Sequence, residues 1–134
     1  MEKIGIDSSV FIYVLEENKH YLQKAARVLQ SVERGEKEAV LSSIGLIEIL
    51  TGPKKQGRDD LALEYRELLA HFPHLTIAGI NENIVELTSH LRALYGITTP
   101  DAIHLATALD FGASVFVTND KALKKVKEIN VVLL

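Results

Sequence analysis

Apolar positions along the chain switch between short continuous runs and helical spacing, and the switching divides the whole sequence into alternating strands and helices. Lys3-Ile4-Gly5-Ile6 reads as a brief buried strand that runs straight into Asp7-Ser8-Ser9-Val10-Phe11-Ile12-Tyr13-Val14-Leu15, an apolar helical segment. Tyr21, Leu22, Ala25, Val28, Leu29 and Val32 share one helical face and predict a helix over about residues 20–34, ended by Gly35. Residues 38–42 predict a second strand, and residues 43–50 a helix with a single acid, Glu48, in an otherwise apolar row. Thr51-Gly52-Pro53-Lys54-Lys55-Gln56-Gly57-Arg58 carries two glycines, a proline and three positive charges, and predicts a loop. A helix over residues 59–70 and a third strand over 75–78 follow. Ile84, Leu87, Leu91 and Leu94 then fall at core spacing on a helix opened by Asn81 or Asn83 and closed by Gly96.

The stretch Thr99-Pro100-Asp101-Ala102-Ile103-His104-Leu105-Ala106-Thr107-Ala108 predicts a helix with Thr99 as N-cap, Pro100 in the first position and Asp101 where the helix dipole favours negative charge. Ala102, Ala106 and Ala108 keep that helix thin enough to lie close against a sheet, and Gly112 offers its stop. Residues 114–118 read as a short buried strand ending at Asn119-Asp120. A short basic helix over 120–127 and a final strand over 130–134 complete the chain. Strands alternating with helices imply a mainly parallel sheet covered on both faces. The expected architecture is an α/β/α sandwich of about five strands, built as one domain over residues 1–134.

Composition narrows the function. A chain of 134 residues with 47% hydrophobic and 25% charged positions has an ordinary globular make-up and is long enough to bury a core. It has no cysteine, which excludes disulfides, zinc–thiolate sites and cysteine nucleophiles. No apolar run approaches the about 20 residues of a membrane span and no signal peptide is evident, so a cytoplasmic location is expected. The net charge of −3 argues against binding nucleic acid through a bulk positive field.

Four acids have predicted positions near one edge of such a sheet. Asp7 and Asp120 follow strands, Asp101 starts a helix, and Glu48 lies on the helix after the second strand. Asp7 by itself is accounted for as an N-cap, and Glu48 must face solvent or meet a partner, because an unpaired carboxylate is costly to bury. Right-handed crossovers bring all four toward the carboxyl edge, where they would form an acidic pocket. Ser8 and Thr118 are small polar residues that either cap helices or serve such a pocket. Lys54, Lys55 and Arg58 are a solvated turn or, beside an acidic site, contacts for a phosphate backbone. His104, three residues after Asp101, is expected to pack or hydrogen-bond on the inner side of its helix rather than bind metal. His71 and His74 are separated by Pro73 and do not form a helical pair.

Ile6-Asp7-Ser8-Ser9, Ser43 through Glu48-Ile49-Leu50, the Thr99–Ala108 block, and Gly112-Ala113 followed by Val117-Thr118-Asn119-Asp120 occur together in this order. Across essentially the full length, this pattern resembles a PIN domain, and specifically the toxin ribonucleases of the VapC type. The resemblance implies a metal-dependent ribonuclease whose acidic quartet is Asp7, Glu48, Asp101 and Asp120, with the Thr118 hydroxyl assisting. It also implies a cognate antitoxin and a homodimer, with Phe11, Tyr13, Val14 and Leu15 as docking surface or core. The chemistry agrees: clustered carboxylates repel, a cation relieves them, and all-oxygen ligands favour Mg²⁺ or Mn²⁺. Water activated by the metal would then attack a phosphodiester. Two other readings are a PIN-like module that holds RNA or a protein without cutting, and a phosphohydrolase on a similar sheet. Asp7-Ser8-Ser9 lacks the paired aspartates of the latter.

Overall fold

The computed structural model describes residues 1–134. Five strands form one sheet: β1 Glu2–Ile6, β2 Lys37–Ser42, β3 Leu75–Ala78, β4 Val115–Thr118 and β5 Asn130–Leu133. Their order is β3-β2-β1-β4-β5 and every pairing is parallel. The expected sandwich is therefore present, and its sheet is entirely parallel. Six α-helices cover it: α1 Ser8–Leu15, α2 Leu22–Glu33, α3 Ser43–Lys55, α4 Asp59–Ala70, α5 Glu82–Tyr95 and α6 Thr99–Asp110.

Alternation along each strand divides the core in two. Ile4 and Ile6 of β1, Ala39 and Leu41 of β2 and Val117 of β4 meet α1 to α4 on one face. Phe116 of β4 and Val131 of β5 meet α5 and α6 on the other. Helix α6 is buried without a break from Ala102 to Ala108. Its approach to the sheet is so close that a Cβ at Gly5 would sit 2.4 Å from the Cβ of Ala108. Small residues on both surfaces thus allow contact between helix and strand, as the alanine spacing predicts.

Several local expectations are corrected. The cap of α6 is Thr98, whose Oγ1 accepts from the Asp101 N–H at 3.4 Å, and not Thr99. Pro100 then stands one position deeper, still inside the first turn where no N–H partner exists. Residues 51–55, expected to be loop, continue α3. Pro53 is buried within the helix, Thr51 Oγ1 donates to the Ile47 carbonyl at 2.7 Å, and the chain turns only at Gly57, whose φ is +70°. Lys54 and Lys55 fall in the last turn of α3, where the helix dipole favours cations. The second helix begins at Leu22, two residues later than expected, after Asn18 Oδ1 has accepted from the His20 and Tyr21 N–H groups. The basic segment after β4 is a 3-10 turn, Lys121–Lys125, and Leu94 is 58% exposed because the buried stripe of α5 runs through Ile84, Thr88 and Leu91.

Because α6 cannot retreat from β1 without opening both core layers, Gly5→Ala is expected to lower the unfolding free energy by about 1–3 kcal/mol. Gly79→Ala, at an exposed glycine with open space around its Cβ position, is expected to change it by less than about 0.5 kcal/mol. Urea unfolding of the two variants beside the native chain checks the difference; equal effects would disprove the close contact.

Candidate active site

The sheet order reverses direction between β1 and β4, since β1 leads outward to β2 while the chain later crosses back to place β4 on its other side. Open α/β sheets form a crevice at the carboxyl ends of the strands flanking such a point. Asp7 follows β1 and Asp120 follows β4 by two residues, so the topology alone sets both beside the crevice. The Asp7 N–H donates to the Val117 carbonyl at 2.9 Å, which extends the strand pairing to the site itself.

Thr118, completely buried, links these two acids. Its hydroxyl donates to Asp7 Oδ2 at 2.6 Å and its oxygen accepts from the Asp120 N–H at 3.1 Å. Asp7 also caps α1 through the Ser9 N–H, and Asp120 caps the 3-10 turn through the Ala122 N–H at 3.0 Å. Capping and site membership are therefore compatible roles for one carboxylate. Ser8 Oγ lies 2.8 Å from Glu48 Oε1 and 3.3 Å from Asp7 Oδ1, joining α1 to α3.

Glu48 has a partner, His104. Nε2 of the histidine is 2.9 Å from Glu48 Oε1, and its Nδ1 is 2.7 Å from Ser42 Oγ. The hydrogen bond from His104 holds the Glu48 carboxyl below its usual range, with Ser8 adding to the effect and desolvation opposing it. Asp101 shows the reverse. Burial pushes its carboxyl up, and the charges of Asp120 and Asp7 push it further, while Thr98 and His104 offset part of the rise.

The expected quartet thus meets at one edge, but in two parts. Ligand-type atoms of Asp7, Glu48 and His104 lie within 4.8 Å of one another, with the Nε2 of His104 bonded to Glu48 and the carboxylates of Asp7 and Glu48 close enough to share one ion. Asp101 and Asp120 stand outside that group, within reach of its charge. No lysine or arginine forms an ion pair with any of the four acids. An acidic cluster without an internal cation, and with one member penalised by its neighbours, suits a divalent metal with oxygen ligands. A cleft of about 330 Å³ opens beside it, lined by Asp7, Ser9, Tyr13, Asn119 and Asp120.

The remaining predicted residues are placed elsewhere. Lys54 and Lys55 project from the far end of α3, about 10 Å along the axis from Glu48 at the helical rise. Arg58 grips Asp60 with two hydrogen bonds of 3.0 and 3.1 Å, in solvent. Of the apolar residues on α1, Phe11 is core, Tyr13 turns toward the acidic cleft with its hydroxyl accepting from Asn119 Nδ2 at 3.0 Å, and Val14 and Leu15 line a separate apolar pocket. The residues that sequence reasoning passed over are Ser42, Tyr13 and Asn119 as parts of the site, and His104 as the partner of Glu48. Only the spacing of His104 from Asp101 hinted at the last.

An acid whose folded-state pKa is raised costs stability above that pKa, and the cost fades as pH falls through it toward the ordinary value. Asp101→Asn is therefore expected to raise the melting temperature of the metal-free protein at neutral pH, with a gain that shrinks on acidification through the raised range. Thermal unfolding in EDTA across that pH range checks it; a lower melting temperature for the variant at neutral pH would contradict the assignment.

The PIN domain family model matches residues 4–129. No curated protein matches the chain in sequence. Among solved structures, the chain is similar to VapBC2 from Rickettsia felis bound to a promoter DNA fragment, at 18% identity and TM-score 0.78, over 99% of this chain and 98% of that one. It is similar to a toxin–antitoxin complex from Klebsiella pneumoniae at 23% identity and TM-score 0.74, over 98% and 96% of the two chains. It is also similar to VapC20 of Mycobacterium tuberculosis, a sarcin–ricin loop cleaving toxin, at 14% identity and TM-score 0.68, over 84% and 86%. At such identities the likeness is one of fold. The family match, by contrast, spans nearly the whole chain and includes all four acids at the switch point, and the protein belongs to the PIN domain family.

Proposed function

We propose that this chain is a metal-dependent ribonuclease and the toxin of a toxin–antitoxin pair. The observation that carries the reading is the meeting of Asp7, Glu48, Asp101 and Asp120 at the β1/β4 crevice with no lysine or arginine among them. Mg²⁺ or Mn²⁺ is the cofactor that fits this donor set. When bound, such an ion lowers the pKa of a water and stabilises charge developing on a phosphodiester.

The chain's own residues prepare the place. Thr118 ties the Asp7 carboxylate to the backbone of Asp120, whose own carboxylate is held by the Ala122 N–H. Ser8 and His104 hold Glu48 ionised, as a ligand or as the acceptor of a proton from the attacking water. Asp101, raised by burial and by its neighbours, gains most from a cation and completes the ligand set. Water is the nucleophile in this scheme, so no serine, histidine or cysteine nucleophile is needed. RNA is the proposed substrate, in keeping with the sarcin–ricin loop cleaving toxin among the structures of similar fold. Ser8 contacts the scissile region, and Lys54, Lys55 and Arg58 are proposed to contact the backbone further out, Arg58 by exchanging Asp60 for phosphate.

An antitoxin belongs to the same proposal, supported by the toxin–antitoxin complexes among the similar folds, and a homodimer is proposed beside it. The pocket lined by Phe11, Val14, Leu15, Leu29, Leu68 and Phe72 supplies apolar surface for a partner. No helix is long and apolar enough to cross a membrane, and the proposed place of action is the cytoplasm.

Incubation with a mixed cellular RNA pool tests the reading. Cleavage is expected with Mg²⁺ or Mn²⁺ and none with EDTA. Loss of a residue that merely supports a metal ligand costs about 10–100-fold, so Asp7→Asn, which removes a ligand, is expected to cost at least about 100-fold. Cutting that persists in EDTA or in the variant would refute a metal-dependent site. A folded native chain that binds metal and cuts no RNA would instead favour a silent binding module.

A further inference from the structure

Helix α6 presents one imidazole in a wall of apolar side chains. His104 has a side chain only 2% exposed, and its neighbours from Ala102 to Ala108 are all buried. A ring in that position is costly unless both nitrogens find partners. Both do, and the partners lie on one other helix and its cap: Ser42, the N-cap of α3, and Glu48 within α3.

The order of protons follows from the carboxylate. Glu48 Oε1 only accepts, so Nε2 of His104 carries a proton and donates it. In the neutral ring Nδ1 is then the acceptor and takes the hydroxyl proton of Ser42. The Ser42 oxygen in turn accepts from the Gly45 N–H at 3.0 Å, as an N-cap does. Ser8 donates to the same oxygen from the opposite helix. Oε1 is thus held twice, and Oε2, which has no protein hydrogen-bond partner, is the oxygen left for a cation.

The fold makes room for this arrangement at Gly45. A Cβ there would meet Leu41 Cδ1 at 2.4 Å and His104 Cε1 at 3.5 Å. Without a side chain at that position, the first turn of α3 approaches both β2 and the imidazole. The relay from Gly45 N–H through Ser42 and His104 to Glu48 therefore rests on two buried groups rather than on the exposed carboxylate itself, whose side chain is 41% exposed.

We propose that His104 is a positioning residue for the metal site, acting through Glu48: the Ser42–His104 relay fixes one carboxylate oxygen and thereby sets the other as a ligand. The inference rests on the reading of the acidic cluster as a divalent-cation site. It gives His104 a role that neither core packing nor direct metal ligation supplies, since its Nε2 is already committed to the carboxylate.

Titration of the full chain with Mn²⁺, followed by loss of the free-ion signal in electron paramagnetic resonance, tests this without using catalysis. The native chain is expected to bind at a defined stoichiometry. His104→Leu, of similar size but with no donor, is expected to bind about 10–100-fold more weakly. His104→Gln keeps an N–H that can reach Glu48 and is expected to recover most of the loss, whereas the shorter His104→Asn is not. This second pair decides the matter even if the leucine variant fails to fold. In a Glu48→Gln background, His104→Leu is expected to add little, because the two residues act as one unit. Native-like Mn²⁺ affinity in folded His104→Leu, or equal affinities for the glutamine and asparagine variants, would overturn the positioning role while leaving the metal site standing. Absence of Mn²⁺ binding by the native chain would overturn the metal reading and this inference with it.

Discussion

Contact between α6 and the sheet is the constraint from which the site follows. The helix lies where Gly5 and Ala108 leave no space for another carbon, and it is buried continuously over two turns. Its N-terminus is thereby held beside the carboxyl ends of β1 and β4, which fixes Asp101 against Asp7 and Asp120. The same burial turns His104 inward to α3. A wider separation, with larger side chains at the interface, would still give an α/β sandwich but would move Asp101 and His104 away from the acids they influence.

Electrostatic asymmetry is the second consequence. Glu48 of α3 and Asp101 of α6 both belong to helices that begin near the carboxyl edge of the sheet, yet their environments act in opposite directions. Hydrogen bonds from His104 and Ser8 favour the charged form of Glu48, while burial and like charge disfavour that of Asp101. One acid is thus pre-organised in its charged form while the other is left dependent on a counter-charge. The hydroxyls of Thr118, Ser8 and Ser42 contribute by joining strand end, helix and cap into one connected set.

Local signals in the chain carried most of the fold. Strand and helix alternation, the positions of the acids and the small residues of α6 were all visible, because each depends on side-chain period or on chemistry within one turn. Where prediction failed, a tertiary contact had overruled local preference. The Gly52-Pro53 pair breaks isolated helices, but α3 packs Pro53 inward and continues to Lys55. Leu94 keeps helical spacing yet faces solvent, since the inward stripe runs through Ile84, Thr88 and Leu91 and continues to Tyr95. Thr98 displaced Thr99 as cap because its hydroxyl reaches the N–H of Asp101 three residues on.

By itself, then, the sequence determined the α/β class and its mainly parallel sheet, through periodicity and the right-handedness of parallel crossovers. Tertiary structure alone decided which groups touch there. Thr118 and Asp7 are 111 residues apart in the chain, and His104 and Glu48 are 56 apart. Their meeting depends on β4 entering the sheet beside β1 in one register and on α3 and α6 approaching through Gly45. No local pattern encodes a partner at such separation, because a hydrogen bond of under 3 Å is set by the packing of whole elements rather than by the residues on either side of it.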